Sequence, residues 1–224
     1  MSSSSYKFFL GLLICAGLGL GAYVAYGYYA NEKRPTAKPS TPVIADFTLT
    51  DRFGSEFHAS DLKGEVWVAS FFFTECAGAC INLNSTIADL IQEDFPNDPV
   101  KFVSISVDPK KDDLATLDRY ARTSYVEARG IDPQRWIFLT EPEGREYKIE
   151  EIATGYFKVP FGKITHSDRL MIVDRQGVVR AAISSSWDRE VLRFKTELRK
   201  VLDEEPSAES ITSDAMDNGQ QKND

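Results

Sequence analysis

Histidine and cysteine are scarce in this chain of 224 residues, which has two of the first and three of the second. His58 and His166 cannot build an all-histidine metal site, and Cys15, Cys76 and Cys80 cannot build a disulfide-framework miniprotein. Positive charge is also short. The 26 Lys and Arg are outnumbered by 34 Asp and Glu, a net charge of -8, whereas a nucleic-acid binder needs a basic face. No repeat period runs along the chain, which excludes solenoids and propellers. What is present is apolar material. At 42% hydrophobic and 12% aromatic, the chain can bury one well-packed domain with appendages, and wholesale disorder is excluded.

The negative charge gathers at the end of the chain. Asp203, Glu204, Glu205, Glu209, Asp214, Asp217 and Asp224 are offset there only by Lys222. Residues 203–224 are rich in Ser, Asp, Asn and Gln and have no apolar run to offset the entropy of ordering. They read as a disordered acidic tail, with an acidic interaction tail as the alternative.

The start of the chain is the opposite. After a short segment, residues 1–7, no charged residue occurs in residues 8–30. As a helix that run would extend about 34 Å, enough for a hydrocarbon core of about 30 Å. Tyr6 at one end, with Tyr23, Tyr26, Tyr28 and Tyr29 at the other, fits aromatic belts at two water interfaces. A cleavable signal peptide is the rival, but no small-x-small site follows the run. Ile14 is too bulky for a lipoprotein site at Cys15, which reads as an apolar residue of the span. Gly17 and Gly21 form a GxxxG pair of the kind that packs helices. Lys7 before the span faces Lys33, Arg34 and Lys38 after it, so charge counting leaves the orientation open. Residues 31–41, which hold Pro35 and Pro39 with Pro42 directly after them, read as a semi-stiff tether, and residues 42–202 as the folded domain.

Within that domain strand and helix patterns alternate. Residues 66–73 (VWVASFFF) and 100–107 (VKFVSISV) are continuous apolar runs of the kind found in strands buried on both faces. Residues 80–95 carry Ile81, Ile87, Leu90 and Ile91 at helical spacing and stop before Pro96. Asp112 and Asp113 open a second helix through about Ala128, closed by Gly130. Residues 136–140 form a short strand. Residues 170–173 and 178–184 flank the turn Asp174-Arg175-Gln176-Gly177 as a hairpin, and residues 188–202 form a last amphipathic helix with Val191, Phe194, Leu198 and Val201 inward. The pattern describes an α/β domain of thioredoxin-like layout, a central mixed sheet flanked by helices and preceded by one transmembrane helix.

Cys76 and Cys80 follow directly on the strand of residues 66–73, where open α/β sheets carry their functional sites. A helix start there is expected to lower a thiol pKa. Ala77, Gly78 and Ala79 between them are small enough to let the sulfurs share a helix face or close a disulfide. A disulfide over so short a loop stabilises little, which favours a working pair over an inert staple. His166 lies in a polar loop, Ile164-Thr165-His166-Ser167-Asp168, ahead of a strand that a thioredoxin-like layout brings near the cysteines. Two thiolates and one imidazole suit Cu(I), which accepts few ligands and prefers sulfur, whereas structural zinc would need a fourth ligand. His58 reads as a solvated or hydrogen-bonded loop residue.

Three motifs in order then carry a resemblance. The segment from Ser70 to Cys80 (SFFFTECAGAC) resembles the cysteine motif of the Sco/SenC family. Val103 to Pro109 (VSISVDP), with Asp112 beyond it, resembles the family's strand ending in DPxxD, and His166-Ser167 with Leu170 to Asp174 and Gly177 resembles its HS motif, strand and turn. The similarity spans roughly residues 42–200. It implies a membrane-tethered thioredoxin-fold protein that helps assemble the CuA centre of cytochrome c oxidase. Cys76, Cys80 and His166 would be the copper ligands, for Cu(I) and for Cu(II), and Asp108 a supporting acid that otherwise serves as a turn-former. Family members often carry proline beside the cysteines, where this chain has Ala77 and Ile81.

The expectation is a copper chaperone that passes its ion to the copper-binding subunit of cytochrome c oxidase or to another cuproprotein. The alternative is a thiol-disulfide reductase, with Cys76, the more exposed thiol, attacking and Cys80 resolving. A peroxide-reducing enzyme lacks the Thr, Pro and Arg setting that a peroxidatic cysteine needs, and a binding-only sensor is a further reading. Both main readings need a compartment that handles copper and disulfides. MSSSSYKFF lacks the arginines of a mitochondrial presequence, so a bacterial inner membrane is expected, with the domain on its periplasmic side.

Overall fold

The computed structural model describes residues 43–141, 147–159 and 167–204. The expected transmembrane run, the tether, Cys15 and His166 lie outside them, as does the acidic tail beyond Glu204. Among the described residues no helix is long and apolar enough to cross a membrane.

Two strands were legible because they are apolar throughout. β3 (Val66–Phe72) is buried at every position and pairs in parallel with β4 (Val100–Ser106), from Val66 opposite Val100 to Phe72 opposite Ser106. β5 (Trp136–Thr140) continues the parallel set beside β4. On the other side of β3 the chain turns over. β6 (Arg169–Val173) runs antiparallel to β3, and β7 (Val179–Ser184) antiparallel to β6 across the Asp174–Gly177 turn. Gly177 has φ +75 there, a conformation that favours glycine.

An N-terminal hairpin absent from the sequence reading completes the sheet. β1 (Thr48–Asp51) and β2 (Glu56–His58) pair antiparallel, and β1 adds to β5. The seven strands lie in the order β2-β1-β5-β4-β3-β6-β7.

The period of two along β3 sorts its side chains between two cores. Val66, Val68 and Phe72 join a core with α1 (Ala79–Asp89), α2 (Leu114–Ser124) and α4 (Asp188–Asp203), which contributes Phe194, Leu198 and Val201. Trp67, Ala69 and Phe71 face the other core, filled from α3 (Tyr147–Glu151) and the π-helical turn after it by Ile149, Ile152 and Ala153. Ser70 and Ser104, opposite each other in register, hydrogen bond at 2.9 Å, and Trp136 donates to Ser104 Oγ at 2.9 Å, so these buried polar atoms are satisfied. The layout is the thioredoxin-like mixed sheet with helices on both faces.

Helix ends differ from the sequence reading in detail. α1 ends at Asp89 and continues as a π-helical turn to Asp94, ahead of Pro96. α2 starts one residue after its N-cap Asp113, whose carboxylate accepts from the Thr116 amide at 2.8 Å, and it ends at Ser124. A short 3-10 turn then leads to Gly130, which closes it at φ +67.

Candidate metal and dithiol site

At the carboxyl end of β3 the chain leaves the sheet and enters α1 through residues 73–78. Cys76 sits in this connection and Cys80 in the first turn of α1. The two are not joined in a disulfide, and both are buried, 5% and 2% exposed. The Cys80 main-chain N–H donates to Cys76 Sγ at 3.4 Å, and the two thiols share a side-chain hydrogen bond. The sequence-predicted pair is therefore one site. Cys76 is the more exposed of the two, as expected, though both residues pack into the larger core.

The expected lowering of a thiol pKa by the helix start is not met at Cys80. Burial is the largest influence and pushes this thiol up to about 12, with the hydrogen bond to Cys76 acting the same way. A hydrogen bond with the Phe73 main chain opposes it, and the charges of Cys76 and Asp112 add to the rise. Desolvation outweighs the free amides because thiolate in an apolar core loses its water.

Around the pair lies a second connection, residues 107–113, between β4 and α2. Asp108 acts there through its backbone. Its carbonyl accepts from the Lys111 and Asp112 amides at 3.0 and 2.9 Å, and its own amide donates to Ser106 Oγ at 3.2 Å. That is the turn-forming role weighed for it. The sequence reading treated Asp112 as a helix opener, yet it is 1% exposed and faces the cysteine connection. Thr74 donates to it from its amide (3.1 Å to Oδ2) and its hydroxyl (2.5 Å to Oδ1), and Ser106 Oγ donates at 2.5 Å to Oδ2. Burial raises its carboxyl pKa although these bonds resist the shift. Outside this buried contact, exposed Lys111 pairs with Glu75. A usable signal was in the sequence. Asp113 already caps α2, leaving the second acid of Asp108-Pro109-x-x-Asp112 for another task.

The third predicted ligand, His166, lies outside the described residues. The residues that follow it are described. β6 runs antiparallel to β3, with Ala69 opposite Met171, so Ser167 and Asp168 stand at the sheet end that carries Cys76. Asp168 fixes that stem to the β7–α4 junction. Its carboxylate accepts from Ser184 Oγ and Ser186 Oγ at 2.5 and 2.6 Å, and its carbonyl from the Ser185 amide at 2.7 Å. His58 is elsewhere. Its Nδ1 lies 3.0 Å from Thr48 Oγ1 on the β2–β1 hairpin, and three strands separate β2 from β3. Among the described residues no group of three His, Cys, Asp or Glu side chains is placed to hold a metal ion.

The chain is thus a thioredoxin-like domain with two cysteines together at the carboxyl end of a central strand. The chain matches the SCO1/SenC family over residues 35–201, and it belongs to that family. It is similar to the SCO1 protein homolog of Bacillus subtilis (strain 168), 32% identical over 129 residues, which covers 57% of this chain and 63% of that relative. The structure of BsSco, a member of the Sco family of cytochrome c oxidase assembly proteins in which a disulfide switch was identified, matches with a TM-score of 0.62. The match is 25% identical and covers 73% of this chain and 95% of that one. Arabidopsis thaliana ScoI with copper bound shares the fold at a TM-score of 0.58 and 21% identity, over 71% of this chain and 99% of that one.

Proposed function

We propose that this protein is a copper chaperone that holds copper through Cys76, Cys80 and His166 and helps assemble the CuA centre of cytochrome c oxidase. The observation that carries the reading is the convergence of Cys76 and Cys80 at the carboxyl end of β3 in a chain of the SCO1/SenC family. Copper is cargo here. Two thiolates supply the soft donors that Cu(I) prefers, and an imidazole completes a low-coordinate set. His166 directly precedes Ser167, whose neighbour Asp168 is anchored at the cysteine end of the sheet. Binding Cu(I) displaces the thiol protons, so loading requires the reduced pair and releases protons to solvent. Transfer to a copper-binding oxidase subunit or another cuproprotein then proceeds by ligand exchange. In this reading residues 8–30 anchor the protein in a bacterial inner membrane, with the domain on the periplasmic side.

The test is a competition titration of the reduced protein with Cu(I). One equivalent is expected to bind, with binding lost in Cys76→Ser and in Cys80→Ser and weakened at least about tenfold, roughly 1.4 kcal/mol, in His166→Ala. No binding, or full retention in His166→Ala, contradicts the reading.

A thiol-disulfide reductase is the second reading. The contact from the Cys80 amide to Cys76 Sγ favours it, because it keeps the attacking sulfur beside the residue that would resolve the mixed disulfide. It predicts that Cys80→Ser traps a mixed disulfide with a client while His166→Ala leaves turnover intact.

A further inference from the structure

We infer that Asp112 is a positioning residue for the cysteine pair: its buried carboxylate clasps the root of the Cys76–Cys80 connection to the end of the neighbouring strand and presets the spacing of the two thiols. The inference rests on the reading of Cys76 and Cys80 as the working pair.

Three donors converge on this one carboxylate. Thr74, the second residue after β3, gives it both amide and hydroxyl, and Ser106, the last residue of β4, gives a hydroxyl. The clasp is itself held from two further sides. The Asp112 amide donates to the Asp108 carbonyl at 2.9 Å, and the buried Thr140 hydroxyl at the end of β5 donates to the Asp112 carbonyl at 3.1 Å. Asp112 thus ties together the carboxyl ends of three parallel strands, and its hold on the first of them is at Thr74, two residues before the first cysteine. The exposed Lys111–Glu75 pair joins the same two connections but sits in water, where such pairs contribute little.

The chemistry of the acceptor matters. Both Thr74 donors come from one residue, so they fix its backbone and side chain together and set the direction in which the chain leaves β3. A carboxylate takes all three donors at once, and charge-assisted bonds of this kind are about twice as strong as neutral ones. Without the clasp the Thr74–Gly78 stretch gains freedom, and the effective concentration of one thiol at the other falls.

The measurement is the equilibrium of the full-length protein with glutathione redox buffers, read as the fraction of Cys76–Cys80 disulfide, beside urea stability for each variant. Asp112→Ala and Thr74→Val are expected to disfavour the disulfide about tenfold, a shift of about 30 mV. Ser106→Ala removes a bond to the same carboxylate but leaves both Thr74 bonds, so it is expected to change the equilibrium less than about twofold while still losing stability. Thr74→Val keeps the test open should Asp112→Ala fail to fold. An unchanged equilibrium in Thr74→Val, or shifts that track stability loss equally in all three variants, overturns the clasp alone. A wild type that forms no disulfide overturns the pair reading and the clasp with it.

Discussion

Cys80 occupies the first turn of α1, where unpaired amides favour thiolate, yet the residue is 2% exposed and its thiol is pushed up to about 12. An unfolded chain releases this proton near pH 9.0, so between that value and about pH 12 the unfolded state sheds a proton that the folded state keeps. The stabilisation is whole below pH 9 and is lost as pH rises through the window. The urea midpoint of the reduced protein is therefore expected to fall more steeply between pH 8 and 10.5 than that of Cys80→Ala, and equal slopes would contradict it. The cysteine spacing told where the pair sits, because CxxxC after an apolar run marks a strand end. It could not tell how deeply the pair is buried, since much of the core that the pair joins, including Phe138, Leu170 and Phe194, comes from distant segments. Asp112 was misread for the same reason: its partner Thr74 lies 38 residues away.

Elements of uniform character were legible, and those held by remote polar contacts were not. β3 and β4 declare themselves through continuous apolar runs. β1 and β2 have four and three residues with one buried side chain each, Leu49 and Phe57, too short a pattern to read. Their hairpin is held instead by Arg52 in its turn, a buried guanidinium that pairs bidentately with Glu127, 75 residues on, at 2.6 and 3.1 Å. The Arg52 hydrogen bonds hold the Glu127 carboxyl below its ordinary range. A lowered carboxyl pKa contributes stability above the unfolded value, 4.5, and the contribution is lost as pH falls through the folded one. Glu127→Gln is thus expected to lower the urea midpoint at pH 7 by an amount that shrinks as pH falls below 4.5, and a loss independent of pH would contradict the pairing. At α2 the N-cap offers a control for the site. Asp113→Ala is expected to lose about 1 kcal/mol in urea unfolding while Cu(I) affinity holds, because Asp113 caps the Thr116 amide rather than touching Thr74.

Taken whole, the domain puts Cys76, Cys80, the Asp108–Asp113 connection and the anchored Asp168 stem at one end of its sheet. Nothing local links them. The topology does, by running β3, β4 and β5 in parallel and turning β6 back, and the motif order along the chain already implied it. The proposed membrane anchor belongs to this scale as well. The full-length protein is expected to stay with membranes through alkaline carbonate extraction, and a variant lacking residues 8–30 to be released; release of the full-length chain would contradict the membrane reading. The central claim is the ligand set, and X-ray absorption at the copper edge of the Cu(I)-loaded protein tests it most directly. Two sulfurs and one imidazole nitrogen around the metal, with the nitrogen lost in His166→Ala, is the predicted result. A sulfur-only shell that His166→Ala leaves unchanged would contradict it.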